Sequence, residues 1–436
     1  MALRLRVRWL ALLTLLAATL MALAFVFRFG SILLPTGKGV PRLQPTSRAA
    51  LPASPGTTVG KSHPRLRALS FDPEVRPRNV VLMIGDGMGI GSISTASYLL
   101  HGPSGALVAE GAPVTGLVRT WASDRLVTGS PGSASAIATG RKHPKRSISQ
   151  QPDGSAPITL FEAGREHGLM TGLVTTAGLV DATPAAFVTH VDDRDRYKEI
   201  LEQMLASDTD LMIGGDWLLY PKAQGKRAYL DRIRGLEPGH AEHHAVVRTA
   251  GKLAQAKTPL VALLPARPGS RSAHGPPLAD SVELALQLLG ESAKGFLLLI
   301  ENEESDEQAH GGELAGVVEA IEELDAALRV VLDFAAGEGE TLVLLTADHD
   351  TGGPGIVRGR YDDGRVEVRW LSNDHTAQWV PLFAWGPGAI QFSGVLENIE
   401  IGRRLASLLD LEGLPAAAGG GSRARIASTV ASSHPE

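Results

Sequence analysis

Apolar residues along the chain fall into short solid runs, separated by longer stretches in which they recur every three or four positions. Val80–Ile84 (VVLMI) is the clearest run, and it ends at Gly85-Asp86-Gly87. Leu173–Thr176, Leu211–Ile213, Phe296–Ile300, Leu342–Leu345 and Val380–Ala384 have the same character. A short segment apolar on both faces predicts a strand buried inside a parallel sheet. Helical spacing marks Thr159–His167, Leu278–Leu289, Leu314–Phe334 and Ile401–Leu409. This alternation predicts an α/β fold, a largely parallel central β-sheet flanked by helices on both faces.

The two ends of the chain follow other patterns. Arg4, Arg6 and Arg8 precede an apolar run from Trp9 to Phe27, and a basic start before an apolar stretch is an export signal. The run approaches the roughly 20 residues that span a bilayer. Ala22-Leu23-Ala24 offers a cleavage site, but the apolar Phe25, Val26 and Phe27 after it favour an uncleaved anchor. Residues 1–34 are therefore expected to be a signal peptide or N-terminal membrane anchor, which places the body of the protein outside the cytoplasm, in the periplasm or extracellular space. Residues 35–78, rich in Pro, Ser, Gly and Arg, read as a linker or irregular arm. Residues 79–414 read as the folded domain, and the Ala/Gly/Ser-rich 415–436 as a disordered tail.

Composition narrows the chemistry. With 44% hydrophobic residues the 436-residue chain has ample material for a large core. A net charge of -5 gives no reason to expect a nucleic-acid surface. Cysteine is absent, so disulfides, thiolate nucleophiles and cysteine-derived aldehydes are excluded. Any metal must be held by carboxylate, imidazole, hydroxyl or backbone oxygen.

In a sheet of this type ligands bind beyond the carboxyl ends of the strands. Asp86 follows VVLMIG, Glu301 follows GFLLLI, and Asp348-His349 follow LVLLTA, so four potential metal ligands project onto one rim from three strands. In ENEESDEQAH, Asp306 and His310 are four apart and share a helix face. Taken alone, that segment reads equally as ligands or as an acidic helix start, and Glu303, Glu304 and Glu307 are assigned to the latter. His375 lies in a loop just before the last apolar run. Ser130-Pro131 opens a small-residue stretch with the signature of a capped helix start, where a hydroxyl lies in the helix's positive field. By itself it is an ordinary capping serine. Asp181 and Thr183 form a turn with two oxygen ligands suited to a hard cation. Arg194 can grip two phosphate oxygens or pair with neighbouring acids. His240, His243 and His244 read as a polar surface stretch.

Six segments, IGDGMG, VTGSPGSASAIATG, DATPAAFVTHVDDR, ENEESDEQAH, TADH and DHTAQWVPLFAWGPG, follow one another in an order that resembles the alkaline phosphatase family. The resemblance implies hydrolysis of phosphate monoesters through a phosphoserine, at a site with two Zn2+ ions and one Mg2+ ion. It assigns Ser130 as nucleophile and Arg194 as phosphate clamp. Asp306, His310 and His375 would hold the first zinc, Asp348 and His349 the second, and Asp86 would bridge to the magnesium, with Asp181, Thr183 and Glu301 in the magnesium site. It also implies a homodimer as a common state. The chain departs from the family pattern at Gly129, where members usually carry an aspartate that orients the arginine, and at Glu307, which adds negative charge near the metals. The competing expectations are a phosphodiesterase of the same superfamily and an inactive membrane-tethered metal-binding module.

Overall fold

The computed structural model describes residues 47–50, 75–103, 105–216, 244–265, 275–360 and 365–417. The strands are β1 (Ser47–Ala50), β2 (Asn79–Gly85), β3 (Val114–Arg119), β4 (Met170–Gly178), β5 (Leu211–Gly215), β6 (Ala245–Val247), β7 (Leu260–Leu264) and β8 (Phe296–Asn302). They continue with β9 (Thr341–Thr346), β10 (Asp350–Thr351), β11 (Gly355–Arg360), β12 (Arg365–Arg369), β13 (His375–Thr376), β14 (Val380–Trp385) and β15 (Gly394–Glu397). Ten of them form one sheet in the order β15-β3-β14-β9-β2-β8-β4-β5-β7-β6.

From β9 to β6 every pairing in that sheet is parallel. The expectation of a parallel setting fails for Val380–Ala384, since β14 runs antiparallel to both β3 and β9. An apolar run reports burial on two faces and carries no information about direction. β2, β8 and β9 are buried at every position, which requires cover on both sides. One group of helices, Ile90–His101, Leu278–Leu289 and Leu314–Glu338, packs together, and a second group is built around Ser130–Thr139 and Asn398–Leu408. The long helix Leu314–Glu338 buries Leu314, Val317, Ile321, Leu324, Leu328, Val331 and Ala335, the three-and-four spacing of a core stripe.

β1 lies inside the stretch expected to be an irregular arm, and it pairs antiparallel with β12 beside β11. The signal or anchor, residues 9–27, lies outside the described residues. No helix among the described residues is long and apolar enough to cross a membrane. His240 and His243 are also outside them. His244 is no surface residue: it is buried, with Nε2 2.7 Å from the Thr209 carbonyl oxygen.

Candidate active site

The three central strands bring their carboxyl ends to one level. Ile84 of β2 stands in register with Glu301 of β8 and Thr346 of β9. Asp86, Glu301 and Asp348 therefore emerge side by side, and the Asp86 amide donates to the Asn302 carbonyl oxygen at 2.9 Å. Gly87 continues with φ +66°, and a Cβ there would lie 2.8 Å from both Asp306 Oδ1 and Thr351 Oγ1. Only glycine lets the backbone turn and pass so close to those groups.

Ser130 is the first residue of the helix Ser130–Thr139, with Gly129 rather than Ser130 in the capping position and Pro131 in the first turn. The hydroxyl is thus free of a capping bond. Every residue of this helix is buried, which its run of Ser, Gly and Ala permits by allowing close approach. Ser133 Oγ, one turn on, donates to the Asp348 carbonyl oxygen at 2.6 Å and fastens the helix to the end of β9. Ser130 Oγ lies 3.3 Å from His349 Nε2.

Three sets of acceptors lie at this rim, the second of them against the serine. In the first, Asp306, His310 and His375 bring ligand atoms together. His310 Nε2 is 3.1 Å from His375 Nε2 and 3.3 Å from Asp306 Oδ2. Each imidazole donates its Nδ1–H to a carbonyl oxygen, His310 to Asn373 and His375 to Thr128, both at 2.9 Å. Those bonds fix the ring orientation and turn an Nε2 lone pair inward. In the second set, His349 Nε2 faces Asp348 Oδ2 at 3.3 Å and Asp86 Oδ1 at 3.4 Å. Thr351 Oγ1 donates to Asp306 and sits 3.2 Å from His349 Nδ1, so one hydroxyl braces both sets. The third set is Asp86, Glu301 and Glu303.

The electrostatics of these groups have a common cause. Burial pushes the Asp86 carboxyl well above its usual range, and the charges of Asp348, Glu303, Asp306 and Glu301 add to the shift. Glu301 is pushed up to about 8 by burial, opposed by the hydrogen bond from Thr175 and reinforced by Asp181. Glu303 rises well above its usual range through burial and then Asp181 and Glu301. Asp348 reaches about 7 through burial and the charge of Asp306. In the first set, burial disfavours the charged form of His310, yet its bond to Asp306 carries it up to about 9.

Such crowding calls for cations. Asp86 Oδ1, Asp348 Oδ2, Glu301 Oε1 and Thr183 Oγ1 are all buried without a hydrogen-bond partner, although a buried polar atom ordinarily has one. Each is an oxygen, three belong to carboxylates, and Asp86 Oδ1 and Asp348 Oδ2 point at the same imidazole nitrogen. A divalent cation fits this donor set.

Of the residues singled out in the sequence, Asp86, Glu301, Asp306, His310, Asp348, His349 and His375 come together in these three sets, with Ser130 against the second. Thr183 is buried with its hydroxyl unpartnered. Asp181 is not in any of the three sets; its Oδ1 accepts from Arg194 and from the Ala182 amide. Glu303, expected to be a solvated helix-start acid, is 4% exposed and stands with Asp86 and Glu301. Its position directly after β8, three residues past the apolar run Phe296–Ile300, was the available signal, and an acidic helix start explained it equally well.

The model of the family described as "Alkaline phosphatase" matches residues 77–237 and 264–364. An alkaline phosphatase of Escherichia fergusonii is 28% identical, covering 82% of this chain and 91% of its own. A streptomycin-6-phosphate phosphatase of Streptomyces griseus is 29% identical, covering 77% and 91%. The solved alkaline phosphatase of the Antarctic bacterium TAB5 superposes with a TM-score of 0.65 at 26% identity, covering 77% of this chain and 99% of that one.

Proposed function

The chain belongs to the alkaline phosphatase family and is a phosphatase, and from that premise we propose that it hydrolyses phosphate monoesters through a phosphoserine formed on Ser130. The observation that carries this reading is the contact of Ser130 Oγ with His349 Nε2 at 3.3 Å, inside a ring of inward-facing acceptors. We propose two zinc ions and one magnesium ion as the occupants. Asp306, His310 and His375 would hold one zinc, and Asp348, His349 and Asp86 the other. Glu301, Thr183 and Glu303 would hold the magnesium, with Asp86 shared. Bound there, divalent cations neutralise the clustered carboxylates and the charge of an incoming phosphoryl group. Two TAB5 alkaline phosphatase variants have been solved with magnesium bound in a site termed M3.

The chain's own residues supply position. Pro131 and the small residues of the helix hold Ser130 at the helix start, where the positive end of the peptide dipoles favours an oxyanion and an anionic substrate. Ser130 Oγ forms a bond to phosphorus while the bond from phosphorus to the departing alcohol oxygen breaks. The serine proton is released to solvent and the alcohol takes one up. Water then attacks the phosphoserine, giving phosphate and restoring the hydroxyl. Arg194, held by Asp181, grips phosphoryl oxygens with its guanidinium.

Hydrolysis of an aryl phosphomonoester by the metal-loaded protein at alkaline pH, beside an aryl phosphodiester and Ser130→Ala, tests the proposal. Monoester turnover that fails in Ser130→Ala supports it. Preferential turnover of the diester, or activity that survives the substitution, contradicts it. Export of the folded domain, with residues 9–27 as signal or anchor, is proposed on the basic-then-apolar start alone.

A further inference from the structure

We propose that the Lys145 ammonium is a catalytic contact to the phosphoryl group, occupying the place that a side chain at position 129 would claim. The inference rests on the phosphatase reading above and assigns that site a cation not otherwise accounted for.

The geometry starts from Gly129, the residue before the nucleophile. A Cβ built there would lie 3.1 Å from Lys145 Cε and 3.5 Å from both Lys145 Cγ and His375 Cε1. The lysine's aliphatic arm thus runs across Gly129 on the side facing the first acceptor set. Its backbone is tied to the same helix start. The Gly132 amide donates to the Lys145 carbonyl oxygen at 3.3 Å, and a Cβ on Gly132 would come within 3.1 Å of Lys145 Cα. The Lys145 amide in turn donates to Asp124 Oδ1 at 2.9 Å.

Of the neighbouring cations, Arg146 pairs with Asp193 and Asp195 and Lys142 with Glu397, while Arg194, the phosphate clamp proposed above, is held by Asp181. Among the described residues Lys145 Nζ forms no hydrogen bond or ion pair, and the acid that feels its charge is Asp374, in the loop before His375. A half-buried ammonium pays for desolvation only if something anionic meets it. A phosphate dianion on Ser130 is such a group, and three rotatable N–H donors suit a non-bridging oxygen. Lys145 would make no covalent bond and lose no proton. It would strengthen its contact as charge moves onto the phosphoryl oxygens. The residue type at 129 follows: an aspartate there would meet the lysine arm and neutralise its head.

The test uses the zinc- and magnesium-loaded protein with Lys145→Met and Lys145→Arg. The readouts are kcat/KM on an aryl phosphomonoester, inhibition by inorganic phosphate, direct calorimetric binding of phosphate and metal content. Lys145→Met is expected to lower kcat/KM by about 10- to 100-fold and to weaken phosphate inhibition about tenfold, with metal content unchanged. Lys145→Arg should recover most of both. Gly129→Asp should weaken phosphate inhibition too, and Lys145→Met added to it should cost less than it does alone. Unchanged kcat/KM and unchanged phosphate binding in Lys145→Met overturn the proposal. So does a loss that tracks lost zinc, because the lysine would then be structural. If the wild type turned over no monoester, the phosphatase reading would fail by itself, and calorimetric phosphate binding to wild type and Lys145→Met would still decide the role of Lys145.

Discussion

Arg194 donates to Asp181 Oδ1, and both side chains are largely withdrawn from solvent, at 15% and 11% exposure. With glycine at 129, Asp181 is a carboxylate that holds this arginine. Replacing Asp181 with Asn keeps the shape and removes the charge. A charge-assisted bond of this kind is worth about 1.5–3 kcal/mol, so Asp181→Asn is expected to lower kcat/KM by roughly 10- to 100-fold, chiefly through KM and phosphate affinity. Steady-state kinetics with phosphate inhibition read this directly. An unchanged KM would mean that Arg194 is positioned by other contacts.

Glu303 makes a prediction with two opposite signs. As a third buried carboxylate beside Asp86 and Glu301, it strengthens cation binding and destabilises the metal-free fold by repulsion. Glu303→Gln should weaken magnesium affinity at that site by about tenfold or more and should raise the melting temperature of the chelated protein. Titration calorimetry and melting of both forms check the pair of effects. Weaker binding without a gain in the metal-free form would place Glu303 outside the repulsive cluster.

Metal removal should make stability depend on pH in a stated direction. The folded pKa values of Glu301 and Asp348 lie at about 8 and about 7, above their ordinary carboxylate values. Groups raised in the folded state contribute stability that is complete below the unfolded pKa and is lost as pH rises through the folded one. The chelated protein should therefore weaken between about pH 4.5 and 8. Cations compensate that charge, and saturation at a thousandfold excess over Kd adds about 4 kcal/mol per site. Melting curves at pH 6 and pH 9, with and without chelator, should show the gap between the two forms widening toward pH 9.

His143 governs the acid limb away from the metals. It is wholly buried, with Nε2 2.8 Å from Thr139 Oγ1 and Nδ1 3.1 Å from the Gln150 carbonyl oxygen. Burial lowers its pKa from 6.5 to about 4. A depressed histidine is neutral when folded and takes up a proton on unfolding, so stability falls as pH drops from 6.5 toward 4, by about 3 kcal/mol at most. His143→Gln should flatten that part of a stability-pH curve measured with denaturant.

How much of this was legible in the sequence follows from what each signal encodes. Strands buried on both faces, such as Val80–Ile84 and Phe296–Ile300, announce themselves, and the structure extends them by one or two residues. The edge strand β15 and its neighbour β3 mix buried with exposed positions and left no solid apolar run to find. Asp86, Glu301, Asp348 and His349 were legible because topology alone sends the ends of β2, β8 and β9 to one rim. Glu303 was not, because burial of one acid among five in ENEESDEQAH depends on helix orientation. Lys145 was not, because its place beside Gly129 is set by a backbone contact to Gly132 that no spacing rule encodes.

The central claim is that Ser130 carries the phosphoryl group. Metal-loaded protein incubated with a phosphomonoester, quenched in acid and digested, should yield the Ser130 peptide with one added phosphoryl group. Ser130→Ala should show neither the adduct nor turnover. Turnover of the wild type with an unmodified Ser130 peptide, or a phosphoryl group found on another residue, would contradict the account.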